Sequence, residues 1–356
     1  MIILLVTIIN LFRTKSLNFP LVFWLPWLLY LAVYLFIDFS FLGLQLTLQY
    51  SLPILIGISA SGFTYSEEDM EWLFKWFLRL IGLIYIMFIY GYLFKGGYGP
   101  SSASTTMLFT IPVSLLTALF FGTGEKKYLA FAGILFLASI FQMTRMGIAA
   151  TSAVFIFHFA NISLKGKLIY GSLGFMAFLL VFSSKPFQEK TFYGGQGALS
   201  DLTFDYYENP NIQSNGRISW KKALEPGIKA APVWGNGPRA DNVYLTKISK
   251  TRGGEAHNDY LSVRFNYGFV GLFMLLAGFL LTFISLYRIS RQYLENSYIW
   301  LVSTSVLTLF ICFLMFMYSD NILKYTIYFP NYFFAMIGIV YSLKEDEYFC
   351  SYSSVQ

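Results

Sequence analysis

The sequence predicts an all-α polytopic membrane protein with about 10–11 transmembrane helices and one large, partly helical loop on the outer side. Three observations predict it. The chain is 56% hydrophobic and only 12% charged, half the roughly 25% charge of a soluble domain, and its mean hydropathy is +0.57. Ten apolar runs are long enough to cross a bilayer. The charge is uneven: residues 185–265 hold 19 of the 44 Lys, Arg, Asp and Glu residues. This composition excludes disorder, which needs low hydrophobicity and high charge, and argues against an ordinary soluble enzyme. Two cysteines, Cys312 and Cys350, make neither a disulfide framework nor a metal cluster.

The runs are Phe19–Ile37, Phe41–Ser61, Trp72–Phe94, Ser104–Phe121, Tyr128–Thr144, Met146–Asn161, Leu168–Ser183, Asn266–Tyr287, Tyr298–Tyr318 and Leu323–Leu343. Met1–Phe12 is short for a span, and it lacks the basic start and small-residue exit of a signal peptide; it reads as a partial or tilted eleventh. The expected organisation is therefore helices over 1–184, a cap over 185–265, helices over 266–343 and a tail over 344–356. Lys and Arg in short loops favour the cytoplasm. Alternating the spans puts Arg13, Lys15, Lys75, Arg79, Lys126, Lys127, Lys165, Lys167, Arg288, Arg291 and Lys344 on one side, against Lys95, Arg145 and Lys324 on the other. The hydrophilic segment then lies outside and the tail inside. No internal repeat is evident, which counts mildly against inverted-repeat transporters.

Candidate chemistry follows from the polar residues that this topology places outside. Arg145 interrupts the apolar Phe141-Gln-Met-Thr-Arg145-Met-Gly147 at the junction of two spans. It reads as a snorkelling anchor or as a charge facing protein; Gly147, Ala149 and Ala150 permit close helix approach and favour the second. Arg217 opens Arg217-Ile-Ser-Trp220-Lys-Lys-Ala-Leu224, a short amphipathic helix whose Trp220 and Leu224 share a face suited to the membrane surface, with Pro226 expected to break or kink it. Pro232-Val-Trp-Gly235-Asn-Gly237-Pro follows as a tight turn, with Gly235 and Gly237 open to close approach.

His257, in Glu255-Ala-His257-Asn258-Asp259-Tyr260-Leu261, precedes re-entry into the membrane. In the first turn of a helix the dipole would keep its ring neutral and able to accept a proton; an interfacial capping histidine is the plainer alternative. Gly268 and Gly271 fall on roughly the same face and could admit a neighbouring helix. Asp320, Asn321 and Lys324 either close the site or mark a turn; Asp38 lies at an outer end with no identifiable partner. His158, across the membrane, reads as structural. Two guanidiniums can hold a diphosphate through forked bonds, and a neutral imidazole can take a hydroxyl proton. Together they describe transfer from a diphosphate-activated, membrane-held donor to an alcohol. Without an outward Asp-x-Asp pair or a His/Cys ligand set, metal-free chemistry is preferred. A transporter or flippase of lipid-linked sugars is the alternative of another class, but it predicts charges near the midplane, whereas these gather at one face.

Thr144-Arg145-Met-Gly147, Arg217-x-x-Trp220 leading to Pro232-x-x-Gly235-x-Gly237, and His257-Asn258-Asp259-Tyr260-Leu261 with Gly268 and Gly271 trailing give a chain that resembles the O-antigen ligase and O-antigen polymerase superfamily of bacterial envelope glycosyltransferases. The likeness covers residues about 140–275 by motif and the rest by hydropathy. It implies a GT-C-like glycosyltransferase of the bacterial inner membrane with a periplasmic cap. The implied donor is an undecaprenyl-diphosphate-linked glycan, used without metal, nucleotide sugar or other cofactor. The implied acceptor is another lipid-linked glycan for a polymerase or lipid A-core for a ligase, and the compact, Phe- and Tyr-rich chain favours polymerase. By resemblance Arg145 and Arg217 bind the donor diphosphate and His257 activates the acceptor hydroxyl, with inversion at the anomeric carbon. Asn258, Trp220, Gly235, Gly237 and Asp320 are expected to support the site. Arg264 departs from the pattern by adding a cation on the His257 face, which makes it a candidate third phosphate contact. Membrane lipid and a chain-length regulator are candidate partners, and nucleic acid is not.

Overall fold

The computed structural model describes residues 9, 12, 18–94, 103–160, 162–202, 211–213, 216–249, 254–293, 297–325 and 329–353. Most of Met1–Phe12, and Arg13, Lys15 and Lys95 from the charge count, lie outside them. The described residues form α1 (Leu21–Ile37), α2 (Phe41–Ala60), α3 (Glu67–Phe94), α4 (Ala103–Thr123), α5 (Lys126–Phe141), α6 (Arg145–Phe159), α7 (Leu164–Ser183), α8 (Lys185–Thr191), α9 (Arg217–Ala230), α10 (Ala240–Ser249), α11 (Asp259–Ser290), α12 (Tyr298–Ser319) and α13 (Phe329–Ser353). An isolated antiparallel bridge joins Phe192 to Ile212. The chain is an all-α, multi-pass membrane protein.

Each of the ten predicted runs coincides with a long helix, but by length and apolarity only six among the described residues can cross a membrane: α2, α3, Thr105–Thr123 of α4, α7, α11 and α12. For three of the other four the cause is length. At about 1.5 Å per residue, the 17 residues of α1, 16 of α5 and 15 of α6 reach about 23–26 Å, against a hydrocarbon core of about 30 Å. Helix α13 runs past Leu343 through Lys344-Glu-Asp-Glu347 to Ser353, so the expected tail continues the helix.

Helix α12 is the axis of the bundle, packed against α4, α6, α11 and α13. Lipid tails are as apolar as leucine, so helices in a bilayer associate through close packing and polar contacts. Both occur. A Cβ on Gly338 of α13 would overlap the Gly57 carbonyl of α2, and Ser114 of α4 donates to the Ser305 carbonyl of α12 at 3.0 Å. Trp24 of α1 packs edge-on against Phe279 and Phe334 while its indole N–H reaches Thr282 at 3.0 Å, giving a large buried side chain its one polar partner. Cys312 is buried. His158 is buried and stacked on Phe121, as a structural histidine would be. In contrast, α3 and α7 are largely uncovered.

The hydrophilic segment supplies α8, α9 and α10. Helix α9 continues through Pro226 to Ala230, contrary to expectation. Trp220 and Leu224 also turn their shared face to protein. They pack with Ile228, Leu245, Ala256 and Phe265 in a small core of the cap. That packing holds α9 together at the cost of the one backbone bond the proline cannot make. In the following turn Val233 and Trp234 are exposed.

Candidate active site

Helix α11 starts at Asp259, with Asn258 as its cap: the Asn258 side chain accepts from the Leu261 N–H at 3.0 Å. His257 therefore stands one residue before the cap, not in the first turn, and its backbone is left-handed at φ 46°, a conformation costing a non-glycine residue roughly 1–2 kcal/mol. Asparagine wins the capping position because its short side-chain oxygen reaches the free N–H groups of the first turn. The Asn258 amide also donates to the Tyr318 carbonyl at 3.0 Å, tying the start of α11 to the end of α12.

The imidazole is oriented by Asp320. His257 Nδ1 lies 3.0 Å from Asp320 Oδ1, which also accepts from the Tyr325 hydroxyl at 2.7 Å and the Asn321 N–H at 2.8 Å. Burial pushes the Asp320 carboxyl up, but the bonds from His257, Tyr325 and Asn321 outweigh it and hold it below the usual carboxylate range. Burial and the Asp320 charge push the Tyr325 phenol up, which keeps it a donor. An ionised carboxylate can only accept, so Nδ1 is the donor to Asp320, and in the neutral ring the lone pair is then on Nε2. The His257 side chain is 49% exposed and that of Asp320 16%, so a fixed, shielded anion orients an open base.

Behind this pair lies a charged frame that sequence reasoning mostly missed. Glu255 accepts from Arg239 at 2.7 Å and from the Asn321 amide at 2.9 Å. Lys324, named from sequence as a turn or a closing residue, is buried 3.5 Å from Asp241 and 3.9 Å from Glu255. Asp241, also buried, accepts from Ser262, and its N–H donates to Asn266 at 2.9 Å. Burial alone would raise the Asp241 carboxyl; Lys324, the Ser262 and Asn266 hydrogen bonds and Arg239 bring it below its ordinary range. The frame joins α10, the segment before α11, and the Ile322–Lys324 turn between α12 and α13. It thus fixes His257 and Asp320 relative to each other. The Asp259 side chain adds a bond from the Leu323 N–H at 2.9 Å.

The two-glycine turn has a mechanical role. Gly235, Gly237 and Gly268 have φ of 85°, 103° and 67°, and α11 is broken at Gly268. Into that break the turn inserts its backbone: Asn236 N–H to Phe265 O at 2.9 Å, Gly237 N–H to Asn266 O at 3.0 Å, and Phe269 N–H to Pro232 O at 2.9 Å. A Cβ on Gly268 would overlap the Val233 carbonyl. Gly268 is accordingly a hinge point instead of a continuous helix face, while Gly271 does admit α1 through Tyr30. Asp38 lies against Gly237.

The predicted cations fall in two groups. Arg145 begins α6 and donates Nη2 to the Gln213 carbonyl at 2.7 Å. Arg217, four residues past Gln213, begins α9 and buries an Nε with no hydrogen-bond partner. The pinned Gln213 thus draws Arg145 toward the segment that leads into Arg217. Arg264 is exposed on α11, one turn from the capping segment. His257 and Asp320 are brought into direct contact and Asn258 is tied to Tyr318, whereas no hydrogen bond joins Arg145, Arg217 or Arg264 to His257 among the described residues. Among those residues, no group of three or more His, Cys, Asp or Glu side chains could hold a metal ion.

No curated protein matches the chain. Residues 130–276 match the family described as O-antigen ligase, a stretch that runs from α5 through the cap and His257 past the Gly268 break, and leaves out Asp320 and Lys324. Residues 130–276 are thus similar to the O-antigen ligase family.

Proposed function

We propose that this chain is an inverting, metal-independent glycosyltransferase that joins oligosaccharide repeats carried on undecaprenyl diphosphate, in the manner of an O-antigen polymerase, at the periplasmic face of the bacterial inner membrane. The observation that carries the reading is the His257–Asp320 pair, with one ring nitrogen committed to a shielded carboxylate and the other open. Nε2 takes the proton of the acceptor hydroxyl as its oxygen bonds to the anomeric carbon. The bond from that carbon to the diphosphate oxygen breaks on the opposite face, and the electron pair leaves with undecaprenyl diphosphate. Arg145 and Arg217 meet the charge that develops on the leaving group. The Asp320 charge stabilises the imidazolium that forms, and the proton then returns to solvent.

The matched family's own description favours a second reading, ligation of the glycan to lipid A-core, which needs the same three groups. Deletion of the gene followed by electrophoresis of surface lipopolysaccharide separates the two. A single capped repeat indicates polymerase; lipid-linked polymer with no repeat attached indicates ligase; an unchanged ladder refutes both. His257→Ala should lower transfer by about 10²–10⁴-fold, the span of general-base contributions, at unchanged membrane abundance. Wild-type transfer by that variant would remove His257 as the base.

A further inference from the structure

The corner between α5 and α6 holds a second cation that no motif marks. Met143, left-handed at φ 48°, turns the chain there. Helix α8 folds back onto the corner because Phe182, Phe187, Phe192 and Ile212 form a cluster that takes in Met143 and Ile148. This packing brings Lys190, in the last turn of α8, to the corner: its ammonium donates to the Gln142 carbonyl at 2.6 Å. Gln142 is three residues before Arg145, whose guanidinium holds the Gln213 carbonyl at 2.7 Å. Gln213 in turn donates its side-chain amide to the carbonyls of Glu189 and Phe192, at 3.0 and 3.1 Å on either side of Lys190, and its N–H to Thr191 at 2.8 Å. One small frame therefore carries both cations.

Their closeness is felt electrostatically. Desolvation first and the Arg145 charge second hold the Lys190 ammonium below the ordinary lysine range. Among the described residues no carboxylate lies within ion-pair distance of Lys190; neighbouring Glu189 faces Lys185 at 3.7 Å instead. An ammonium has three donors, and the Gln142 carbonyl occupies one. An anion of high charge density beside the two cations relieves the repulsion between them. Phosphate meets that need: a planar fork and a point charge are the two ways side chains bind it.

We propose that Lys190 is a substrate-binding residue that acts with Arg145 on the diphosphate of the polyprenyl-linked donor. The inference rests on the diphosphate reading above. It adds to that reading a lysine whose ammonium grips one phosphate while the guanidinium holds the other. A phospholipid headgroup offers the same phosphate chemistry, so the test separates the two sources.

The full-length protein is placed in nanodiscs of phosphatidylcholine and titrated calorimetrically with inorganic pyrophosphate. Lys190→Gln should weaken binding about tenfold and Lys190→Arg by less than about threefold, with melting temperatures equal to wild type. Equal affinity in wild type and Lys190→Gln overturns the proposal, while loss of binding in Arg145→Gln in the same series leaves the diphosphate reading standing. Absence of binding to wild type overturns the proposal, and His257→Ala transfer assays then judge the enzymatic reading separately. In nanodiscs of phosphatidylglycerol the wild-type affinity should be unchanged. Competition by phosphatidylglycerol that disappears in Lys190→Gln would assign the site to a lipid headgroup and overturn its assignment to the donor.

Discussion

Asp320→Asn tests the orienting role directly, because the surroundings of this carboxylate keep the asparagine in one pose. Three donors converge on Oδ1: the Asn321 N–H, the Tyr325 hydroxyl and His257 Nδ1. A backbone N–H cannot accept, so the amide oxygen takes the place of Oδ1 and the NH2 group turns away. The ring keeps its Nδ1–H tautomer and loses only the anion facing it. A hydrogen bond to a charged group contributes about 1.5–3 kcal/mol, against about 0.5–1.5 for a neutral one. The difference, about 1–2 kcal/mol, acts mainly in the transition state, when Nε2 has taken its proton and the ring is cationic. At about 1.4 kcal/mol per factor of ten, kcat should fall about 5–30-fold. KM should stay within about twofold, since an interaction made only in the transition state leaves ground-state binding alone. The assay is single-turnover transfer between lipid-linked repeats by purified protein in nanodiscs. Wild-type kcat in Asp320→Asn refutes the pairing. A loss as deep as that of His257→Ala refutes the argument for a preserved tautomer.

Other perturbations test the frame around this pair. Asp241→Asn leaves Lys324 buried without its closest partner, which should cost about 3–5 kcal/mol. Since the Asp241 carboxyl is depressed in the folded protein, its stabilisation is present above the unfolded-state value of about 4 and lost as pH falls through the lower folded value. The melting-temperature gap between wild type and variant should therefore be wide at neutral pH and close under acid; a gap constant with pH contradicts this. Gly268→Ala sets a Cβ against the Val233 carbonyl at a positive φ and should release the Pro232–Gly237 turn, detected as protease cleavage in that turn and a lowered melting temperature. Arg145→Lys and Arg217→Lys keep charge but lose the fork. Each should raise KM for the lipid-linked donor about tenfold, and unchanged KM in both argues against diphosphate clamping.

The hydrophobic runs were legible because a bilayer demands about 20 apolar residues per crossing, a constraint visible in composition alone. What composition cannot reveal is how a run is cut. Arg145 was read correctly as a junction, since a charge among apolar residues stands out, but the turn itself, Gln142–Thr144, fell inside the expected Tyr128–Thr144 run. Gly268 was read as a packing glycine on a continuous helix, because an isolated glycine inside an apolar run gives the same signal whether it admits a side chain or breaks the backbone. Only the partner segment, Pro232–Gly237, decides between those outcomes, and it is about 30 residues away. Trp220 and Leu224 illustrate the same gap. Their spacing correctly gave an amphipathic helix, but an apolar face does not say whether lipid or protein covers it.

The site divides along a similar line. His257 stood out by its motif, whereas Asp320, named as closing the site or marking a turn, could not be paired with it from sequence. Asp320 sits 63 positions away on another helix end and beyond the matched family segment. In Tyr318-Ser-Asp320-Asn-Ile-Leu-Lys324 it looks like any polar turn between two spans. Arg239 and Glu255 look like solvated loop charges, although they meet at 2.7 Å. Lys324 and Asp241 are sealed from water by the helices they join. Buried charges retained at such cost suit a position where geometry matters more than stability. The left-handed backbone at His257 points the same way. Strain at one residue persists only where its neighbours over-determine it, and here Glu255 on one side and Asn258 on the other are each tied to the α12–α13 turn or the end of α12. Loosening either tie should let residue 257 relax to negative φ and swing the imidazole off Asp320. The orientation of His257, the proposed base, is therefore a property of the junction between cap and bundle, not of the histidine motif alone.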